Sequence, residues 1–397
     1  MLKLHPHQWD ILLSMKANKG QIISPTGSGK TLTMIEDCKR YMFNLKGNGN
    51  KTAVIVAPRI LLAAQLSNEF LQRINEDNVK VLHVHSGETR HFSSTNADTI
   101  KQWDKDNCRY NKLIFTTYHS LHRLKESGIN VDTVYYDESH NSTAKNFYPA
   151  VKHYSEAANR SYYFTATPKH SYTNDKAGMN DEKVYGKVLK QVSAPKLVDK
   201  GIILSPKVIV KKIEVQDDNV NVPKHIIDTI DEINVKKVLV CARSTKQIVS
   251  LASSNMVGDL QSRGYSLLYI TAKTGAFVDG KKVSRDKFFD VLNTWGKDSD
   301  KKFIVLHHSI LSEGISVRGL EAALLLRNMD IITLSQTIGR VIRTDGNKKH
   351  GLVVVPSYDK VGISTSKKLN NVVETIFQKG EAATQIVRRW LIRKNYN

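Results

Sequence analysis

The sequence predicts an α/β chain of two tandem units, each a mostly parallel sheet flanked by helices, and three observations carry that reading. Short apolar runs alternate with helical or polar stretches through the first half of the chain, the texture of βαβ units whose sheet is covered on both faces. A second strand-and-helix series opens at Val235-Lys236-Lys237-Val238-Leu239-Val240-Cys241, after a polar, proline-bearing stretch. Finally, the segments able to do chemistry stand at the ends of apolar runs, where open α/β sheets bind their ligands.

In chain order, Leu4 to Gln8 precede an amphipathic pattern over residues 9–15 that reads as helix. The Gln8 amide can both donate to and accept from an adenine edge, although a glutamine after a proline carries little by itself. Ile22 and Ile23 then run into Ser24-Pro25-Thr26-Gly27-Ser28-Gly29-Lys30-Thr31, and a helical pattern follows from Leu32 to about residue 43. That is a strand, a glycine loop and a helix start. The backbone N–H groups of Thr26, Gly27, Ser28 and Gly29 can cradle a polyphosphate, Lys30 can reach its β and γ phosphates, and the Thr31 hydroxyl can ligate Mg²⁺. The expected ligand is a nucleoside triphosphate with magnesium. Ser24 stands where the strict pattern has glycine, so this is a small-residue variant of the loop.

Residues 52–57 read as a buried strand, Pro58-Arg59 opens a helix over 60–71, and 79–84, 112–116, 131–136 and 161–164 are further short strands. Past the strand at 131–136 come Asp137-Glu138-Ser139-His140. Two adjacent carboxylates there suit a phosphate-loop enzyme, with Asp137 holding Mg²⁺ through its water shell and Glu138 orienting the attacking water. In isolation they read equally as a solvated acidic loop. Phe164-Thr165-Ala166-Thr167-Pro168 ends the next strand. Thr165 and Thr167 can sense the nucleotide and relay its presence, or simply cap a turn.

From Ser193 the texture turns polar and proline-bearing, which makes this stretch the expected hinge. The expected division of the chain is therefore 1–212 and 213–397. In the second part, 265–270 and 302–306 supply strands, 272–282 looks like a Gly/Lys-rich loop, and 284–295 reads as helix. Gln336-Thr337-Ile338-Gly339-Arg340-Val341-Ile342-Arg343 puts two arginines three apart, hence on one face of a helix. Such guanidiniums can stabilise charge that builds up in γ-phosphoryl transfer, or belong to an ordinary basic helix. Residues 367–397 read as helix ending in Arg388-Arg389-Trp390-Leu391-Ile392-Arg393-Lys394, a basic tail that can stack its aromatic on a base and track phosphates or, the favoured reading, pack Trp390 and Leu391 onto the second domain with its basic face near nucleic acid.

Composition narrows the partners. The 397 residues carry 59 Lys+Arg against 38 Asp+Glu, a formal charge of +21 that is the electrostatic footprint of a polyanion-binding protein. The three cysteines, Cys38, Cys108 and Cys241, are far apart and odd in number, which argues against a disulfide framework and fits a reducing, cytoplasmic setting. No run has the length or apolarity of a membrane helix, and no signal-peptide pattern opens the chain. The histidines, including the pairs 83/85, 119/122 and 307/308, fall in no zinc-ligand spacing and are expected to be ordinary surface or core residues.

Taken together, Gln8, SPTGSGKT, APRILL, TTYHSL, DESH, FTATP, VCARS, SEGISVRGL and QTIGRVIR occur in that order over roughly residues 4–345. The set resembles the superfamily 2 helicases and translocases of the DExH type. The resemblance implies two RecA-like domains with ATP and Mg²⁺ in the cleft between them, and a nucleic-acid strand lying across both. Lys30 and Thr31 would bind phosphate and metal, and Asp137 and Glu138 would be the metal residue and catalytic base. Gln336, Arg340 and Arg343 would complete the site, with Gly314 also near the nucleotide. Arg59, Thr117 and Ser244 match segments that contact the nucleic-acid backbone in relatives. Two departures stand out: Gly314-Ile315-Ser316 replaces the usual Gly-Ile-Asp, and His307-His308 sit where many relatives have Thr or Ser.

The join around Leu197 to Lys207 resembles that of DNA-directed members. With SEGISVRGL and QTIGRVIR in a compact chain, it looks most like the repair and recombination helicases of T-even-type phages. The implied activity is a nucleic-acid-stimulated ATPase that unwinds or remodels DNA in the cytoplasm of a phage's host, as a monomer or with replication and recombination proteins. An RNA helicase and a partner-dependent translocase are the alternatives.

Overall fold

The computed structural model describes residues 4–43, 50–75, 77, 79–212, 218–271, 273–308, 317–344, 348–357 and 363–388. The chain folds as two compact units. One comprises Met1–Pro25, Gly29–Val192 and Ala382–Asn397, and the other comprises Thr26–Ser28 and Ser193–Glu381.

The first unit is built on β1 (Lys19–Ile23), β2 (Thr52–Ala57), β3 (Val79–Val84), β4 (Phe92–Ser93), β5 (Asn111–Thr117), β6 (Thr133–Tyr136), β7 (Arg160–Thr165), β8 (Lys169–Ser171) and β9 (Val188–Gln191). All but β8 join one sheet in the order β4, β3, β5, β2, β6, β7, β1, β9. Every described pairing in it is parallel. Central strands of such a sheet are covered on both faces and read as unbroken apolar runs; every residue of β2, Thr-Ala-Val-Ile-Val-Ala, is buried. Tyrosines fill much of the core. Tyr136 stacks on Tyr163 with ring centroids 4.6 Å apart, and Tyr163 meets Tyr185 edge-on. Burial of these phenols calls for partners: Tyr135 donates to Asp37 Oδ2 at 2.5 Å, and Arg160 pairs with Asp37 Oδ1 at 2.8 Å, tying the helix Lys30–Met42 to β6 and β7.

The second unit contains β10 (Pro206–Lys212), β11 (Lys237–Cys241), β12 (Tyr265–Thr271), β13 (Gly275–Val278), β14 (Lys281–Val283), β15 (Lys302–His307), β16 (Ala322–Leu325) and β17 (Gly351–Ser357). Their order is β10, β17, β16, β11, β15, β12, β13, β14. The first six run parallel and the last two are antiparallel. Val238, Val240, Leu306 and Leu324 sit in its core among helices such as Thr245–Ala252.

Three expectations are corrected at this level. Of the loop expected over 272–282, residue 272 lies outside the described residues and the rest holds β13 and most of its hairpin with β14, turned by Asp279 (φ 44°) and Gly280 (φ 78°), a pair suited to the left-handed turn of a tight hairpin. The expected boundary at 212 fails for β10, which pairs along its whole length with β17 of the second sheet. The helical reading of 367–397 holds over 367–373, the end of the helix Ile363–Val373, and over a π-turn at Glu374–Gln378. The chain then extends as β18 (Gln385–Val387), which pairs in parallel with β8 of the first unit. Residues 389–397, with Trp390, lie outside the described residues.

Candidate nucleotide site

The glycine loop is held by its neighbours at both ends. β1 enters it fully hydrogen-bonded, and the Ser24 N–H donates to the Thr165 carbonyl at 2.9 Å, joining the loop to the end of β7. Gly27 and Gly29 have φ of 87° and 82°, values that L side chains rarely adopt. A Cβ on Gly29 would also lie 2.3 Å from the Gln8 amide nitrogen. Gln8 accepts from the His5 N–H at 2.9 Å and donates to the Gly29 carbonyl at 3.3 Å. Its amide therefore braces the loop from the first helix. Lys30 opens the helix Lys30–Met42 and turns its ammonium back to the Ser24 carbonyl at 3.2 Å. The helix N-terminus and its phosphate-sized turn are thus preformed.

Beyond β6 the Asp137 N–H still bonds to the Val56 carbonyl, and the buried Tyr118 hydroxyl donates to the Asp137 carbonyl. Burial pushes the Asp137 carboxyl up to about 7, with adjacent Glu138 adding to the rise and Lys30 opposing it. Glu138 itself has φ 46°. A non-glycine residue held there costs about 1–3 kcal/mol, and such strain clusters at functional sites. Two buried carboxylates, one destabilised as an anion and one with an Oε2 that meets no hydrogen-bond donor among the described residues, form a donor set that suits a hard divalent cation such as Mg²⁺.

The acid pair is wired to the threonines of the next strand by a residue that the sequence places among the ordinary histidines. His140 Nδ1 lies 3.6 Å from Glu138 Oε2, 3.0 Å from Thr165 Oγ1 and 3.4 Å from Thr167 Oγ1. Thr165 Oγ1 in turn accepts from the Thr167 N–H at 3.1 Å. The only sequence signal for His140 is its place as the last letter of DESH.

In the second unit, Gln336 and Arg340 are buried on the helix Ile331–Val341, whose first turn Asp330 caps by accepting from the Thr333 N–H. Arg343 does not share their helical face. The helix closes at Val341, and Arg343 forms an antiparallel bridge with Ile203 while Leu204 N–H bonds to the Ile342 carbonyl. A strand-like partner there ends the helix two residues short of Arg343. At the ends of β11 and β15, His307 Nε2 lies 3.2 Å from Cys241 Sγ. Burial, then Arg340 and Arg327, drive His307 far below its ordinary pKa, and burial lifts the Cys241 thiol up to about 12. The pair is neutral.

The expected nucleic-acid contacts divide. Arg59 is half-buried at the start of the helix Ile60–Leu71. The Thr117 hydroxyl lies in a turn with Ser120, and Ser244 caps the helix Thr245–Ala252 by accepting from the Gln247 N–H at 3.1 Å. Gly314 lies outside the described residues.

Residues 1–170 match the family described as the Type III restriction enzyme res subunit. A search of curated proteins finds no match. Among solved structures the chain is similar to the ATP-dependent Type ISP restriction-modification enzyme LlaBIII bound to DNA, with a TM-score of 0.73 and 16% identity over 97% of this chain and 31% of that one. It is also similar to a nuclease-deletion mutant of the Type ISP enzyme LlaGI in complex with a DNA substrate mimic, with a TM-score of 0.69 and 18% identity over 96% of this chain and 30% of that one. A third similarity is to S. cerevisiae Dbp5 bound to RNA and ADP BeF3, with a TM-score of 0.58 and 15% identity over 97% and 90%. At these identities the fold is what is shared: two α/β units of the RecA-like kind, one sheet parallel and the other mostly so. The chain spans about a third of the length of the Type ISP enzymes.

Proposed function

We propose that this chain is an ATP-dependent nucleic-acid helicase or translocase of superfamily 2, acting on DNA. One observation supports this above the rest: the preformed glycine loop with Lys30 stands in the electrostatic field of the strained Asp137–Glu138 pair, which His140 links to Thr165 and Thr167. In this reading the loop N–H groups and Lys30 bind the β and γ phosphates, and Gln8 braces the loop. Thr31 and Asp137 would hold Mg²⁺, which when bound neutralises charge on the phosphates. Glu138 orients the attacking water and takes its proton, and Gln336, Arg340 and Arg343 meet the charge that builds on the transferring phosphoryl group. His140 passes the state of the acid pair to Thr165 and Thr167.

DNA is favoured over RNA because two of the similar structures hold DNA or a DNA mimic, against one that holds RNA. The resemblance to T-even-type phage repair helicases rests on the motifs alone; none of these similar structures is one. A second reading, a translocase that depends on partner subunits or domains, is favoured by the much greater length of the Type ISP relatives. No described helix is long and apolar enough to cross a membrane.

The deciding experiment measures ATP hydrolysis with no nucleic acid, with single-stranded DNA, with forked DNA and with RNA at matched salt, alongside strand displacement. DNA-stimulated hydrolysis that Lys30→Ala abolishes is expected. Turnover unchanged in Lys30→Ala overturns the nucleotide site, stimulation by RNA alone overturns the DNA assignment, and stimulation without displacement favours the partner-dependent reading.

A further inference from the structure

The first unit carries a second concavity, apart from the glycine loop. A cavity of about 870 Å³ opens between the segment after the short helix Ser139–Thr143, the strand β8, the loop that follows it, and Val387 of β18. That volume is within the range of a small-ligand site.

Its floor is built. Asn180 accepts from the Ser171 N–H at 2.8 Å and donates back to the Ser171 carbonyl at 2.9 Å. A Cβ on Gly178 would lie 2.3 Å from both Asn180 Oδ1 and Ser171 N, so only glycine lets the two segments close. Tyr148 donates to Asp181 Oδ2 at 3.2 Å, while Asp181 Oδ1 accepts from the Lys183 N–H at 3.1 Å. One of the two acids lining the cavity is therefore engaged, and the other is Asp175.

Three lysines, Lys145, Lys169 and Lys176, line the same cavity, and their ammonium groups form no ion pair among the described residues. Between the lining residues Ser171 and Thr173, Tyr172 is 64% exposed. Unneutralised cations around a rigid polar hollow suit phosphates, and an exposed aromatic beside them suits an unstacked base.

We propose that this cavity holds a stretch of the sugar–phosphate backbone of a single nucleic-acid strand, with Lys145, Lys169 and Lys176 on its phosphates and Tyr172 stacking a neighbouring base. The proposal rests on the nucleic-acid motor reading and adds to it a contact surface distinct from Arg59, Thr117 and Ser244. Its walls begin at Thr143 and Lys169, directly after the DESH and FTATP segments, so a bound strand touches the chain just past the residues that read the nucleotide.

The test is fluorescence anisotropy of the full chain with a labelled single-stranded DNA oligonucleotide over a range of salt. Combining Lys145→Ala, Lys169→Ala and Lys176→Ala should weaken binding at least about tenfold at about 0.1 M salt and reduce the salt slope by about 2, the share of three phosphate contacts to a single strand. The corresponding triple arginine variant should bind like the parent, and Tyr172→Phe should bind better than Tyr172→Ala. ATP hydrolysis without nucleic acid should be unchanged in all of them, which reports an intact fold. A triple alanine variant with the parent's affinity and slope overturns the proposal while DNA-stimulated hydrolysis leaves the motor reading standing. Displacement of free AMP but not of the oligonucleotide in that variant overturns it in favour of a mononucleotide site. A parent chain that binds no nucleic acid overturns both.

Discussion

The carboxyl ends of the two sheets solve opposite electrostatic problems. Past β6 and β7 the first unit buries acids: Asp137 is pushed up to about 7 by burial and by Glu138, and Glu138 is held in a left-handed backbone conformation. Past β11 and β15 the second unit buries Arg340 close to a histidine, and it keeps that histidine uncharged; burial, Arg340 and Arg327 force His307 neutral against an un-ionised Cys241. Burying charge is costly, and the two units meet that cost differently: the first raises a carboxyl until it holds its proton near neutrality, and the second keeps a histidine beside an arginine unprotonated.

The sharpest way to break this contrast is Arg340→Ala. If the second unit's buried cation meets charge on the transferring phosphoryl group, turnover should fall roughly 10³- to 10⁵-fold with nucleic-acid affinity retained. Steady-state hydrolysis measures the first and anisotropy the second, and a loss below tenfold would assign Arg340 to packing. Next is Glu138→Gln, expected to lower the hydrolysis rate roughly 10²- to 10⁴-fold while ATP binding persists. Equal losses in binding and rate would move Glu138 from chemistry to structure.

A third prediction uses pH. The Asp137 carboxyl titrates higher in the folded chain than in the unfolded one, so the folded state holds the proton more tightly. Without added metal, the stability from this group is present below about 4 and is lost as pH rises toward about 7. Asp137→Asn should flatten that part of the melting-temperature profile. Added magnesium should raise the melting temperature of the parent more at pH 8 than at pH 5, and should not do so in the variant.

The smallest effect is expected at His307→Leu. Its ring is neutral, Nδ1 meets no hydrogen-bond partner among the described residues, and its loss should change stability at pH 7 by about 1 kcal/mol or less. The sign in acid is definite: an unfolded chain takes up a proton below about 6.5 that the folded one refuses, so the parent loses stability as pH falls and the variant loses less. A larger acid sensitivity in the variant would mean that His307 is charged in the fold.

Much of this was legible in the sequence, and the legible parts share a cause. A strand such as Thr52–Ala57 announces itself because a strand covered on both faces is mostly apolar along its length. The loop from Ser24 to Thr31 is legible because its glycines and lysine are demanded by local backbone geometry. What stayed hidden depends on partners distant in sequence. Nothing within Pro206–Lys212 says that Gly351–Ser357 is its neighbour, and nothing within residues 367–397 says that Gln385–Val387 returns to β8. The hairpin of β13 and β14 is different: Asp279-Gly280 between Phe277-Val278 and Lys281-Lys282-Val283 is a local hairpin signal, masked by a lysine-rich edge of the kind that protects a sheet from pairing with other chains. His140 was hidden because its role comes from Thr165 and Thr167, which only the parallel alignment of β6 and β7 brings within reach.

The pairing of β18 with β8 has a consequence for the ribosome. Domains fold as units and generally in order as the chain emerges, but the strand that completes this two-stranded sheet is made only after the whole of Ser193–Glu381. The first unit can assemble its main sheet early, while β8 and the cavity beside it stay one strand short until Gln385–Val387 has been made. A nascent chain should therefore pair β1 with β7 long before it acquires the last wall of the lysine-lined cavity.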